Sequence, residues 1–316
     1  MSALNIILWV FVLLFITLIT TTIVIVAENA DAINYTFFNE IYCPGTTTCV
    51  LEPNDNLSLP IGEWDYSKYN NNIAKISLDL ITRVVQENFD VPYEDFVLHA
   101  TLSTSLDCKT FCCIWETETE NEIWISFRGT DNVKEWATDA KVKQLNYEQA
   151  SQKYKDAPSF MQNDNEIMLH AGFLSIFGEI ADQIVTTIDT LNPSKDKTIC
   201  VSGHSLGAAM ATIFGLELYS LGYQTCIYSF ASPRIGNLKL KEYYEHLPEH
   251  LPLFRIINTE DTIPQTPTTV SPNFKDAKNP FLYGHFGTVI SFSKNAQSLS
   301  NNHSLFVYEQ NLPTNV

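Results

Sequence analysis

Near the middle of the chain, Gly203-His204-Ser205-Leu206-Gly207 sets a serine hydroxyl between two glycines. Ahead of it Thr198-Ile199-Cys200-Val201-Ser202 is a short apolar run suited to a buried strand, and behind it Ala208-Ala209-Met210-Ala211 opens a helix with small residues. A serine on a sharp strand-to-helix turn needs residues two before and two after that lack side chains, because strand and helix collide there otherwise. The helix also points its first N–H groups and its positive dipole end at the hydroxyl. Such a site offers attack by Ser205 on a carbonyl carbon, with the developing oxyanion held by amides.

An oxyanion needs a second donor. The run Ile123-Trp124-Ile125-Ser126-Phe127 leads into Arg128-Gly129-Thr130, where a turn at glycine can bring Thr130 toward the serine. Thr130 and the N–H of Leu206 are therefore the expected oxyanion hole, the ordinary alternative being a solvent-facing turn. The serine also needs a base, and the base a carboxylate that orients it. In a strand-turn-helix architecture of this kind the acid follows the serine and the histidine comes last. Arg255-Ile256-Ile257-Asn258-Thr259-Glu260-Asp261-Thr262-Ile263-Pro264 supplies a strand and an acidic turn, with Asp261 and Glu260 as competing carboxylates. His285 and His303 lie downstream, and spacing does not choose between them. His246 and His250 precede the acid and fit the order poorly.

These residues require a scaffold. An apolar-periodic stretch from Asn72 to Phe89 predicts a helix, with Ile73, Ile76, Leu80 and Val84 on one face. Strand-like runs follow over Asp95 to Leu102, Phe111 to Glu116 and Ile123 to Phe127. Thereafter strands at Thr198 to Ser202, Cys226 to Phe230 and Leu253 to Ile257 alternate with helices over Leu206 to Leu221 and Leu238 to His246. Alternation of near-continuously apolar strands with helices predicts an α/β fold, a mostly parallel central sheet covered on both faces. The first strands, with shorter links, are expected to be antiparallel. Three segments result: residues 1–32, an arm over 33–70 rich in Asn, Thr and Pro, and a catalytic domain over 71–316.

Residues 5–27 contain no charged side chain and are long enough to span a bilayer. They read either as an uncleaved signal-anchor or as a signal peptide cut after Ala30-Asp31-Ala32. Both place the remainder outside the cytosol, secreted or membrane-anchored. Seven cysteines suit that compartment. Cys43 and Cys49 bracket a short loop, and adjacent Cys112 and Cys113 should face opposite sides of a strand, so at most one pairs with Cys108. Cys200 and Cys226 read as buried small hydrophobes. No C-x-x-C pair occurs with a second pair or a histidine cluster, so no zinc site is expected. Sequons stand at Asn34, Asn56 and Asn302, the last expected to carry no glycan because it adjoins His303. With 19 Lys+Arg against 36 Asp+Glu the net charge is −17, and no basic run exists. That excludes a nucleic-acid partner and disfavours docking on anionic lipid.

Taken together, Ile125-Ser126-Phe127-Arg128-Gly129-Thr130, His170-Ala171-Gly172-Phe173, the Gly203 to Gly207 elbow, Tyr228 to Asn237, Asp261-Thr262-Ile263-Pro264, Tyr283-Gly284-His285-Phe286-Gly287 and His303 resemble the class 3 lipase family. The resemblance runs from about residue 72 to 310. It implies an α/β-hydrolase fold and a serine ester hydrolase acting on acyl lipids at a lipid–water interface, most simply a triacylglycerol lipase, without metal or organic cofactor. It also implies the triad Ser205, Asp261 and His303, with His285 in a structural histidine-glycine element. A lid is implied over Thr130 to Ala140, where Val133, Trp136, Ala137 and Ala140 share one helical face. Departures from the fungal pattern are the polar stretch from Lys141 to Met168 and the apolar N-terminal segment. The alternatives are a phospholipase, a soluble carboxylesterase, or a non-catalytic lipid-binding protein of the same fold.

Overall fold

The computed structural model describes residues 64–89, 96–105, 109–117, 121–130, 142–273 and 276–314. The apolar segment 5–27, most of the arm, the sequons at Asn34 and Asn56, Cys43, Cys49, Cys108 and the lid residues Val133, Trp136 and Ala137 lie outside the described residues.

Helix α1 (Asn71–Gln86) opens where the Asn70 side chain accepts from the Asn72 amide, and it buries Ile73, Ile76, Leu80 and Val84 as its periodicity predicts. Strands β1 (Phe96–Ser103), β2 (Thr110–Thr117) and β3 (Glu122–Phe127) follow as an antiparallel meander. The polar stretch after residue 141 forms the short β4 (Gln144–Leu145) and α2 (Tyr147–Lys153), whose Asn146 cap and Gln149 side chain make a reciprocal capping box. β5 (Leu169–His170) pairs with β4 and leads into α3 (Ala171–Leu191). The chain then alternates through β6 (Thr198–His204), α4 (Leu206–Ser220), β7 (Thr225–Phe230), α5 (Leu238–Glu245) and β8 (Leu253–Asn258). A small β9 (Val270–Ser271) and β10 (Phe281–Leu282) ribbon, β11 (Thr288–Phe292), and short helices α6 (Leu299–Asn302) and α7 (Leu305–Gln310) complete the described fold.

The central sheet has seven strands in the order β1-β2-β3-β6-β7-β8-β11. From β3 to β11 every pairing is parallel, and the two links between β1, β2 and β3 are antiparallel as expected. Each face carries its own apolar cluster. α3 and α4 cover one face through Phe173, Phe177, Met210 and Phe214, while α1 and Tyr308 cover the other around Trp115, Trp124 and Tyr228. α4 buries almost all of its circumference, the pattern of a helix enclosed by the sheet and a second helix layer.

The predicted runs omit the short β4, α2, β5, β9, β10, α6 and α7, and also the longer α3 and β11. α3 was absent from the sequence reading although Phe173, Phe177, Ile180, Ile184 and Ile188 recur at helical spacing. By length and composition it could cross a membrane, but 56% of its apolar window is buried against the core, so it serves as a core helix. β11 is an edge strand in which Ile290 is the one fully buried residue, leaving little alternation to read. Cys112 and Cys113 fall in opposite apolar clusters as the strand period requires, and both are free, as are the buried Cys200 and Cys226. Neither Cys112 nor Cys113 is therefore bonded to Cys108.

Candidate active site

The parallel strands end on one edge of the sheet, and β6 delivers Ser205 there. Its backbone takes φ 57° and ψ −121°, a left-handed conformation that a non-glycine residue adopts only under constraint. The constraint is visible: the Ser205 N–H donates to the Phe230 carbonyl at 2.9 Å, and its carbonyl accepts from Ala208 and Ala209 as α4 begins. A Cβ on Gly203 would lie 2.1 Å from the Gly207 carbonyl oxygen, and one on Gly207 would lie 2.4 Å from the carbonyl oxygens of Phe127 and Arg128. Both glycines are compelled by backbone sterics. Gly207 also presses α4 against the end of β3, bringing Arg128-Gly129-Thr130 beside the start of α4.

Arg128 fixes that turn. Its N–H donates to Phe111, its Nε to the Thr110 carbonyl at 2.6 Å and its Nη1 to the Gly129 carbonyl at 2.8 Å. Thr130 and Leu206 are both buried, at the same strand-end edge as Ser205.

Past β8 the chain turns so that Asp261 accepts three hydrogen bonds. Oδ1 takes the Ile263 N–H at 2.9 Å, and Oδ2 takes the Tyr308 hydroxyl at 2.8 Å and His303 Nδ1 at 2.7 Å. A carboxylate can only accept, so the His303 proton sits on Nδ1 and Nε2 is left as the basic nitrogen. The His303 ring lies 4.7 Å from that of His204, the residue before Ser205. Burial, and then the neighbouring His303, push the His204 pKa well below the ordinary histidine range, so this ring stays neutral. Tyr308 is also held as a phenol, its pKa raised by burial and by Asp261.

Two asparagines tie the acid turn to the histidine turn. Asn258 donates from Nδ2 to the carbonyls of Lys294 and Asn302, at 2.9 and 3.0 Å. Asn302 returns the link, donating from Nδ2 to the Glu260 carbonyl at 3.0 Å and accepting the Ala296 N–H. Sequence reasoning missed Asn258 and Tyr308, whose roles are tertiary and leave no local signal, and it read Asn302 only as a sequon.

The competing residues go elsewhere. Glu260 is exposed and accepts from Ser293. His285 donates from Nε2 to the Pro264 carbonyl at 2.7 Å, and burial with the Arg255 charge pushes its pKa down to about 3. His246 and His250 are exposed. His170 caps α3, its Nδ1 accepting from the Gly172 N–H. Among the described residues no group of three or more His, Cys, Asp or Glu is placed to hold a metal ion.

A strained serine, an imidazole held by a carboxylate and a glycine turn beside a helix N-terminus form a set suited to acyl transfer. Residues 124–271 match the family model described as Lipase (class 3), the family that the motifs resemble. The lipase of Rhizomucor miehei is 27% identical over 180 residues, covering 55% of this chain and 45% of that protein. The secreted mono- and diacylglycerol lipase A of Penicillium cyclopium is 29% identical over 153 residues, covering 47% and 44%. The chain thus spans less than half the length of these relatives. Among solved structures, the triacylglyceride lipase of Rhizomucor miehei superposes with a TM-score of 0.54 at 23% identity, covering 72% of this chain and 80% of that one. The shared fold is the α/β-hydrolase fold expected from the sequence.

Proposed function

We propose that this protein, whose residues 124–271 match the family model described as Lipase (class 3), is a serine ester hydrolase of acyl lipids, most simply a triacylglycerol lipase. Ser205 Oγ attacks the ester carbonyl while His303 Nε2 takes its proton. The Leu206 N–H and Thr130 hold the oxyanion. Collapse of the tetrahedral intermediate expels the alcohol, which receives the proton from His303, and leaves an acyl group on Ser205. Water, deprotonated by His303, then attacks the acyl-enzyme, and the fatty acid departs as Ser205 recovers its proton. Asp261 holds the imidazole in the productive tautomer and stabilises its cation.

The observation that carries this reading is the buried Asp261–His303 contact of 2.7 Å, with the His303 ring 4.7 Å from the residue preceding a strained serine. Val133, Trp136 and Ala137 are assigned to a lid over the acyl groove, residues 5–27 to a signal or anchor, and residues 71–316 to the catalytic domain. A domain outside the cytosol follows from that reading, and the secreted Penicillium relative supports it. The name of that relative favours partial glycerides as a second substrate reading. Hydrolysis of emulsified tri-, di- and monoacylglycerols and of p-nitrophenyl esters of increasing chain length, with Ser205→Ala as control, tests both. Long-chain activity abolished in the variant is expected; equal rates for the two proteins would overturn the proposal.

A further inference from the structure

Asp261 and His303 sit on separate turns, the first leaving β8 and the second joining α6 to α7. A third loop, residues 293–298 beyond β11, touches both: its Ser293 donates to Glu260, and its Ala296 N–H donates to Asn302. The single carboxylate–imidazole contact works against the conformational freedom of every residue in these loops. More than that contact must hold the pair at 2.7 Å.

Asn258, 1% exposed at the end of β8, is bonded through every polar group it has. Its Oδ1 accepts the Lys294 N–H at 2.9 Å and the Glu260 N–H at 3.3 Å, and its Nδ2 donates to the carbonyls of Lys294 and Asn302. Its own N–H donates to the Tyr308 hydroxyl oxygen at 3.0 Å, which leaves the hydroxyl proton for Asp261 Oδ2. Its carbonyl accepts the Asp261 N–H at 3.0 Å. From the other turn, buried Asn302 donates to the Glu260 carbonyl and accepts the Ala296 N–H at 2.6 Å. Each asparagine therefore reaches both of the other loops. Each must donate and accept at once, which neither a carboxylate nor an apolar side chain can do. The neighbouring Asn301 differs: it is exposed, donates to the Ala296 carbonyl at 3.2 Å and, among the described residues, makes no side-chain bond to the acid turn.

On the reading of Asp261 and His303 as acid and base, we propose that Asn258 and Asn302 are the positioning residues of this site, two buried amides that jointly impose the Asp261–His303 hydrogen bond. Neither amide takes part in the proton transfer itself. They fix the carboxylate, the Tyr308 hydroxyl and the imidazole in one frame, so the imidazole keeps its proton on Nδ1 before any substrate arrives. Truncating Asn302 frees the histidine turn from Glu260 and Ala296 while Asp261, Tyr308 and His303 stay chemically intact. The loss then falls on the chemical step rather than on substrate binding.

Proton NMR of the unliganded full-length protein reads the hydrogen bond directly. The His303 Nδ1 proton should appear far downfield of the amides, identified by its absence in His303→Gln. In Asn302→Ala it should be lost, or exchange with water at least about tenfold faster. On p-nitrophenyl esters kcat of Asn302→Ala should fall about 100-fold with KM unchanged, and Asn258→Ala should behave alike, whereas Asn301→Ala should match the wild type in both readouts. A folded Asn302→Ala with a wild-type signal, or with its loss confined to KM, would overturn the proposal, as would an equal loss in Asn301→Ala. Should neither alanine variant fold, the wild type decides: the side-chain amide protons of Asn258 and Asn302 are expected to exchange far more slowly than those of Asn301, and equal rates would overturn the positioning role. A wild type that shows the downfield signal but hydrolyses no ester would refute the ester reading alone.

Discussion

Asp261 is crowded with donors, and each has a separable consequence. Replacing the acid by asparagine removes the charge that holds His303 in its tautomer, and a loss of about ten-thousand-fold in kcat is expected. Ser205→Ala should cost about a million-fold in kcat and abolish labelling by a fluorophosphonate probe. Tyr308→Phe leaves the carboxylate and imidazole in place but removes one donor to Oδ2. It acts through Asp261, so kcat should fall about tenfold with KM unchanged; a selective rise in KM would refute the positioning role. His285 gives a stability readout instead. Its pKa of about 3 lies below that of an unfolded histidine, so between pH 6.5 and 3 the unfolded chain binds more protons. Its contribution is complete above pH 6.5 and is lost as pH falls, and urea midpoints of His285→Gln should decline less steeply than those of the wild type over that window. The sequence supplied serine, acid and two candidate histidines in order. What separates His303 from His285 is a contact with Asp261 rather than with the Pro264 carbonyl, and no spacing rule encodes that difference.

The elbow shows how far an element constrains its residues. Gly207→Ala drives a methyl into two carbonyl oxygens at the end of β3, where backbone must move. A destabilisation of about 3 kcal/mol or more is expected, read as a drop in urea midpoint, with loss of activity from displacement of the Thr130 turn. Gly215→Ala, by contrast, meets the Ile227 side chain, which can change rotamer, and should cost less. These strands were legible because parallel strands buried on both faces read as unbroken apolar runs. β11 was not, since an edge strand with a solvent-facing side loses that signature. α3 carries a clear helical period, and the motif at its start, His170-Ala171-Gly172-Phe173, does not by itself reveal the helix behind it. The short α6 and α7, which carry His303 and Tyr308 into place, are held by Ser caps and tertiary contacts rather than by a period of their own.

At the scale of the whole molecule, burial protects groups that composition alone would make reactive. Cys112, Cys113, Cys200 and Cys226 are free and buried, and burial raises the thiol pKa of Cys112, Cys113 and Cys200. These four should resist a disulfide-exchange reagent in the native protein and react in guanidinium. Asn302 is similarly closed: its Nδ2 is spent on Glu260 within the link between the two turns. Intact-glycopeptide mass spectrometry should find this sequon bare, for a reason of packing that adds to its nearness to His303. The order of the chain adds a constraint in time. His303 follows Ser205 by about 100 residues. At the roughly 5–20 residues per second of protein synthesis, a nascent chain carries its nucleophile for about 5–20 s before its proposed base has been made. During that interval the cell holds a serine that its proposed base cannot yet deprotonate, so competence for acyl transfer arrives only with the last part of the chain.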